Sequence, residues 1–156
     1  MITIEQTHDA DYVKSIFLNR EIYAKMKDDS CPEEPTELAN RDMMSVPGFF
    51  LKVLVDGVAA GCYWLIWQDS KVEAHTALLE NCRGSTAIEA TKKAMKWVFE
   101  HTTASAIRSY AWSDSPAVKW FCRKLGMLEM SHAPWPEKRD GKIVYITYFE
   151  LPREAV

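Results

Sequence analysis

The sequence predicts a single α/β domain of the α+β kind, a mixed, mostly antiparallel sheet with helices on both faces, and three observations carry that expectation. Three β-patterned runs follow one another between Phe49 and Glu80, the first two joined by Asp56-Gly57, which is the pattern of a hairpin-built meander. From Lys71 to Met127 strand-like and helix-like segments alternate, so the chain must cross over and cover the sheet with helices. At 156 residues, 47% hydrophobic and 12% aromatic, the chain can bury one ordinary core without disulfides or a structural metal. Residues 1–156 are therefore expected as one domain.

In chain order, Ile2 to Gln6 alternates as a short strand, and Ala10 to Lys27 sets Tyr12, Val13, Ile16, Phe17, Ile22, Tyr23 and Met26 at helical spacing. Pro32 and Pro35 interrupt. Thr36 then offers an N-cap for a short second helix over Glu37 to Met44, before Pro47-Gly48 turns the chain. Phe49 to Val55 and Val58 to Trp67 are the hairpin, and Lys71 to Glu80 is the third strand. On that strand Val72, Ala74, Thr76 and Leu78 share one face, while Glu73, His75 and Ala77 share the other. Gly84 to His101 has an apolar stripe (Ala87, Ile88, Ala94, Met95, Val98, Phe99) opposed by Glu89, Lys92, Lys93 and Lys96, an amphipathic helix. Ala106 to Trp112 is a strand, Ser115 an N-cap with Pro116 at the first helical position, Ala117 to Leu125 a helix, and Gly126 its stop. Met127 to Ser131 and Lys142 to Leu151 close the chain as two strands joined by a polar loop that contains Pro134, Pro136 and Asp140-Gly141. The expected order is β-α-α-β-β-β-α-β-α-β-β.

A formal net charge of -3 offers no general attraction to phosphate backbones or anionic lipid, so neither nucleic acid nor a membrane is expected as a partner. No signal-like or membrane-spanning apolar run is present, and the expected location is cytoplasmic. Cys31, Cys62, Cys82 and Cys122 show no paired or zinc-ligand spacing. They read as reduced thiols, and no metal is implied.

The stretch that can carry chemistry runs from a strand through Asn81-Cys82-Arg83-Gly84-Ser85-Thr86-Ala87 directly into a helix. A helix start presents unpaired N–H groups and the positive end of the dipole, which suits a phosphate or pyrophosphate. Gly84 permits close approach, Ser85 and Thr86 add hydroxyls, and Arg83 adds charge. The competing reading makes Ser85 or Thr86 a simple N-cap.

Arg83-Gly84-Ser85-Thr86-Ala87-Ile88 resembles the R/Q-x-x-G-x-G/A signature of the GNAT superfamily of acyl-CoA-dependent N-acyltransferases. Ser115 to Met127, ending Lys124-Leu125-Gly126-Met127, resembles the superfamily's second motif, an N-capped helix closing on K-L-G-F. The resemblance spans nearly the whole chain. It implies acetyl-CoA as acyl donor, an amine as acceptor, direct acyl transfer, and a cofactor site formed by Ala77, Leu78, Leu79, Arg83, Gly84, Ser85, Thr86, Ala87 and Ser115. A homodimer is left open. A narrower likeness to phage- or prophage-borne GNAT-like proteins rests on the Arg-Gly, the small residues after it, and a Glu-Ala pair.

Two departures stand against the signature. Thr86 and Ile88 occupy its later glycine positions, and Cys122 stands where a Tyr often protonates the leaving thiolate. They favour the alternative of a catalytically inactive GNAT-fold binding or assembly factor. For an active enzyme the candidates are Glu73 and His75 as base, on one face of the strand leading to the turn, and Cys122 as proton donor or as a buried structural thiol. The aromatic residues Tyr63, Trp64, Trp67, Tyr110, Trp112 and Trp120 are divided between an acceptor cleft and plain packing.

Overall fold

The computed structural model describes residues 1–35, 43–132 and 136–156. Strand β1 (Ile2–Thr7) leads into helices α1 (Ala10–Phe17) and α2 (Arg20–Met26). The meander follows as β2 (Gly48–Val55), β3 (Val58–Gln68) and β4 (Lys71–Leu78). Helix α3 (Gly84–His101) crosses to β5 (Ala106–Trp112), and α4 (Pro116–Lys124) precedes β6 (Leu128–His132), β7 (Glu137–Arg139), β8 (Lys142–Val144) and β9 (Ile146–Pro152). Seven strands form one sheet in the order β1-β2-β3-β4-β5-β9-β6, with β7 and β8 paired separately. Every pairing is antiparallel except β4 with β5.

The meander forms where the turn chemistry places it. Asp56 and Gly57 both adopt positive φ, 51° and 80°, the condition for a two-residue turn whose twist matches its strands. Alternation along the strands then divides the core in two. Leu51, Val53, Leu65, Val72, Ile107 and Phe149 pack under Ala90, Ala94 and Val98 of α3 and Cys122 of α4. On the opposite face Phe50, Cys62 and Ala77 pack against Val13, Ile16 and Phe17 of α1 and Ile22 of α2. Among the described residues no helix is long and apolar enough to cross a membrane.

Four expectations require correction or fall outside the described residues. The helix expected over Ala10 to Lys27 is two helices, because the Asn19 side chain accepts hydrogen bonds from the N–H groups of Glu21 and Ile22 and starts α2 afresh. The polar loop before Lys142 holds the hairpin β7–β8, which turns at Asp140 and Gly141 with positive φ of 49° and 71°. The strand expected over Lys142 to Leu151 is accordingly interrupted at Tyr145, whose backbone exchanges hydrogen bonds with Ser113. Thr36 and most of the helix expected over Glu37 to Met44 lie outside the described residues, as does Pro134.

Strands β4 and β5 pair only at Val72 with Ile107 and Glu73 with Arg108. Their closed end is tied by Glu150 of β9, which accepts from Lys71 Nζ at 2.8 and 2.9 Å and from Arg108 Nη2 at 3.4 Å. Beyond it the strands separate.

The hydrogen bonds from Lys71 hold the Glu150 carboxyl below its ordinary value of 4.5 against the opposing effect of burial, and Arg108 adds to the pull. A depressed folded-state pKa contributes stability that is present above the unfolded value and lost as pH falls through the folded one. Glu150→Gln is therefore expected to flatten the acid limb of a Tm-against-pH curve below the ordinary carboxyl value of 4.5. A second test concerns Gly61 on β3, where an added Cβ would lie 2.5 Å from the Ala77 carbonyl oxygen and 2.7 Å from Leu78 Cδ2. Because one of those neighbours is backbone, Gly61→Ala is expected to destabilise by about 2 kcal/mol in chemical denaturation.

Candidate functional site

The separation of β4 from β5 opens a cleft of about 390 Å³, the size of a small-ligand pocket. Consecutive residues of both strands line it: Ala74, His75 and Thr76 on β4, and Ser109, Tyr110, Ala111 and Trp112 on β5. Neighbouring strand residues face opposite sides of a sheet, so the cleft passes through the sheet and is open to both layers. On the α3–α4 side it reaches Leu78, Arg83, Gly84, Ala87, Ser115, Trp120 and Cys122; on the α1–α2 side it reaches Lys25 and Met26.

The start of α3 is built to leave its amides free of side-chain caps. Arg83 occupies the N-cap position in extended geometry, and no side chain caps the helix, so neither Ser85 nor Thr86 plays the capping role. Gly84 opens the helix at φ 58°, and a Cβ there would meet no atom within 4 Å. The turn thus presents open space before backbone N–H groups at the positive end of an 18-residue helix. Arg83 is half-exposed beside it, with Nη2 3.8 Å from Glu21 Oε1.

The residues at the signature's later glycine positions do not line this space. Gly84 and Ala87 line the cleft, whereas Thr86 and Ile88 do not, and Ile88 packs on the core under α3. Ser115 stands at the N-cap position of α4 and lines the cleft, but its hydroxyl donates to Asp114 at 3.3 Å rather than capping. Of the β4 residues named for the cofactor, only Leu78 lines the cleft. Ala77 is buried in the α1–α2 core, and Leu79 packs against that core with its N–H donating to Ala60 O at 2.9 Å.

On the α1–α2 side, Glu73 and His75 stand together, largely buried, with His75 Nε2 3.0 Å from Glu73 Oε1. The approach is close enough for an ion pair but is not aligned as a hydrogen bond, which leaves Nε2 without an aligned partner; Trp64 Nε1, also buried, is in the same condition. The two rings lie 5.1 Å apart, and Tyr110 meets His75 edge-on at 5.5 Å. Burial, then the Glu73 charge, push the Tyr110 hydroxyl up to about 12. It is a neutral hydrogen-bonding group at any physiological pH.

Cys122 faces the other end of the cleft, and burial raises its thiol to about 11. A thiol held protonated by burial is a poor nucleophile, as a structural cysteine is. The remaining aromatic residues divide by face. Tyr63 is buried beneath α3, its hydroxyl 2.7 Å from Thr91 Oγ1, and Trp67 packs on Phe49. Trp64, Tyr110 and Trp112 surround His75, while Trp120 is exposed on α4 beneath Lys124. The sequence reading missed Lys25, Met26, Thr76 and Ser109 as lining residues, although Thr76 and Ser109 were reachable through strand alternation.

All four cysteines are free thiols, Cys31 exposed and Cys62, Cys82 and Cys122 buried. Titration of the native protein with an aromatic disulfide near pH 8 is expected to modify Cys31 quickly and the other three only on unfolding. Rapid native labelling of Cys122 would contradict its placement as a buried, protonated group.

No family model and no curated protein matches the sequence. Solved structures match its fold over almost its whole length. The spermidine N-acetyltransferase of Vibrio cholerae, in complex with CoA and spermine, superposes with a TM-score of 0.78 at 14% identity, covering 99% of this chain and 96% of that one. A probable acetyltransferase gives 0.72 at 17% identity over 99% and 94% of the two chains. An N-acetyltransferase from Staphylococcus aureus Mu50 gives 0.74 at 11% identity over 99% of both. The order of strands, the parting of β4 from β5 and these superpositions agree, and the chain has the GNAT fold of N-acetyltransferases.

Proposed function

We propose that this protein is an acyl-CoA-dependent N-acyltransferase that delivers a small acyl group, acetyl in the simplest case, to an amine. One observation carries the reading: a single cleft through the sheet joins the uncapped start of α3 to His75, which stands 3.0 Å from Glu73 on the opposite face. Such a passage suits a long ligand with an anionic middle and a reactive end. The residues fit CoA, since Gly84 leaves open space at the helix start and Thr86 and Ile88 stay out of the cleft. The N–H groups of Gly84, Ser85, Thr86 and Ala87 would hold the pyrophosphate together with Arg83, and Leu78 and Ser115 would line its path. Bound there, a CoA thioester supplies an acyl carbonyl to an attacking amine.

The remaining chemistry belongs to this chain's own side chains. Glu73 and His75, 3.0 Å apart, are the side chains placed to take the proton that an ammonium must lose before it can attack. Tyr110 and His75, backed by Trp64, would form the aromatic wall against which a cationic amine rests. Cys122, a protonated thiol lining the same cleft, would return a proton to the thiolate that leaves as the amide bond forms and the thioester bond breaks. Because one structural neighbour is a spermidine N-acetyltransferase, linear polyamines head the panel of acceptors, ahead of simple alkylamines and peptide amines.

The test combines cofactor binding with thiol release. Acetyl-CoA is expected to raise the Tm, since a ligand of the native state stabilises it by mass action. Arg83→Ala should weaken CoA binding by about 1 to 2 kcal/mol through loss of a charge-assisted contact. Glu73→Gln or His75→Ala should lower kcat about a hundredfold with little change in CoA affinity. Turnover unaffected by either strand substitution would remove the assigned base. Binding of CoA without turnover on any amine would instead favour a non-catalytic use of the fold.

A further inference from the structure

The hairpin β7–β8 carries one side chain that the proposed chemistry does not use. Arg139 is largely buried, and its guanidinium reaches three separate parts of the chain. Nε donates to Lys27 O at 3.2 Å and Nη2 to Lys25 O at 3.0 Å, which are carbonyls at the end of α2. Nη1 pairs with Asp114 at 3.2 Å, in the turn between β5 and α4. The guanidinium carbon lies 5.3 Å from the centre of the Trp112 ring. Each contact is of a kind that favours a guanidinium over an ammonium: fixed fork geometry, carbonyls at the negative end of a helix, and an aromatic face.

A second contact fastens the same two segments independently. Asp29, just past α2, accepts from the N–H groups of Asp140 and Gly141 at 2.7 and 2.9 Å, and its own N–H donates to Lys138 O at 2.9 Å. The short segment between these fastenings holds Lys25 and Met26, which line the cleft, and Asp28, whose charge is felt by Tyr110. Trp112 and Tyr110, 5.8 Å apart and edge to face, line the cleft opposite.

We infer that Arg139 is a positioning residue: by locking the end of α2 and the β7–β8 hairpin against Trp112 and Asp114, it fixes the wall of the cleft on the side where the amine enters. It acts through Trp112 and the residue 25–28 segment rather than on the acyl group. The consequence for the acceptor rests on the acyltransferase reading; the wall itself does not.

Two variants and two readouts test it. In Arg139→Ala, and separately in Asp29→Ala, amide hydrogen exchange across residues 25–31 is expected to accelerate about tenfold or more while exchange in α3 stays unchanged. The KM for the acceptor should rise about tenfold with kcat held within about threefold, because positioning of one substrate is lost while the reacting groups remain. CoA affinity should not move, and Arg139→Lys should restore only part of the acceptor KM. Asp29→Ala carries the test should Arg139→Ala fail to fold, since it leaves the Trp112 contact intact. Wild-type exchange across 25–31 in both variants, or an unchanged acceptor KM beside an active wild type, would overturn the inference. A wild type that transfers no acyl group would defeat the acyltransferase reading, and the exchange measurement would then decide the wall by itself.

Discussion

The feature on which everything else depends is the two-pair contact between β4 and β5. A parallel pair joined at only Val72–Ile107 and Glu73–Arg108 lacks the ladder that would keep it closed, and the right-handed twist of each strand carries the free ends apart. The Lys71–Glu150–Arg108 group secures the closed end. Ser105 adds to that tie, its N–H and hydroxyl donating to Ser70 O at 2.8 and 3.0 Å, and the Ser109 hydroxyl reaches Ala74 O at 3.3 Å just past the paired residues. The helices follow from the same geometry, since α3 must start where β4 leaves the sheet and α4 where β5 does. This is why the uncapped amides of α3 and the N-cap of α4 meet at the mouth of one cleft.

Much of this was legible locally. The Asp56-Gly57 turn requires two positive φ angles and received them, and the stripes of the helix over Gly84–His101 and of the β4 faces sort the core correctly because alternation and helical period are properties of contiguous residues. The break at Asn19 was legible in principle, since Asn competes with the helix for its own amides, but apolar spacing on both sides concealed it. The hairpin β7–β8 is short and mostly charged, so it carries almost no periodic signal; it is held by contacts with residues more than a hundred positions earlier, such as Arg139 with Lys25 and Lys27. No pattern within the segment announces them.

The candidate site divides in the same way. Glu73 and His75 emerge from strand alternation, and Arg83 and Gly84 from a motif tied to a helix start, and these residues lie where that logic puts them. The resemblance marks Ala77 and Leu79 as a stretch of backbone without saying which side chains face the opening, and theirs pack with the α1–α2 core, Ala77 by alternation. Thr86 and Ile88 make the complementary case. They look like obstructions when the signature is read as a string, yet neither lines the cleft and Ile88 packs on the core under α3.

Charge placement narrows which amine the cleft can take. The Trp112 ring, which lines the cleft, is already covered by Arg139 at 5.3 Å, Tyr148 behind Tyr110 is covered by Arg108 at 5.3 Å, and both guanidinium groups are neutralised by carboxylates, Asp114 and Glu150. On the acyltransferase reading proposed above, an incoming ammonium would be directed to His75 and Tyr110, where Glu73 is the near counter-charge and Asp28 a more distant one. Those same groups include the ones that can accept its proton. Recognition and deprotonation thus draw on one set of side chains, so a substitution that neutralises Glu73 should weaken both, whereas a change at Arg139 should disturb recognition alone. That difference separates a group that takes part in the chemistry from one that only shapes the wall.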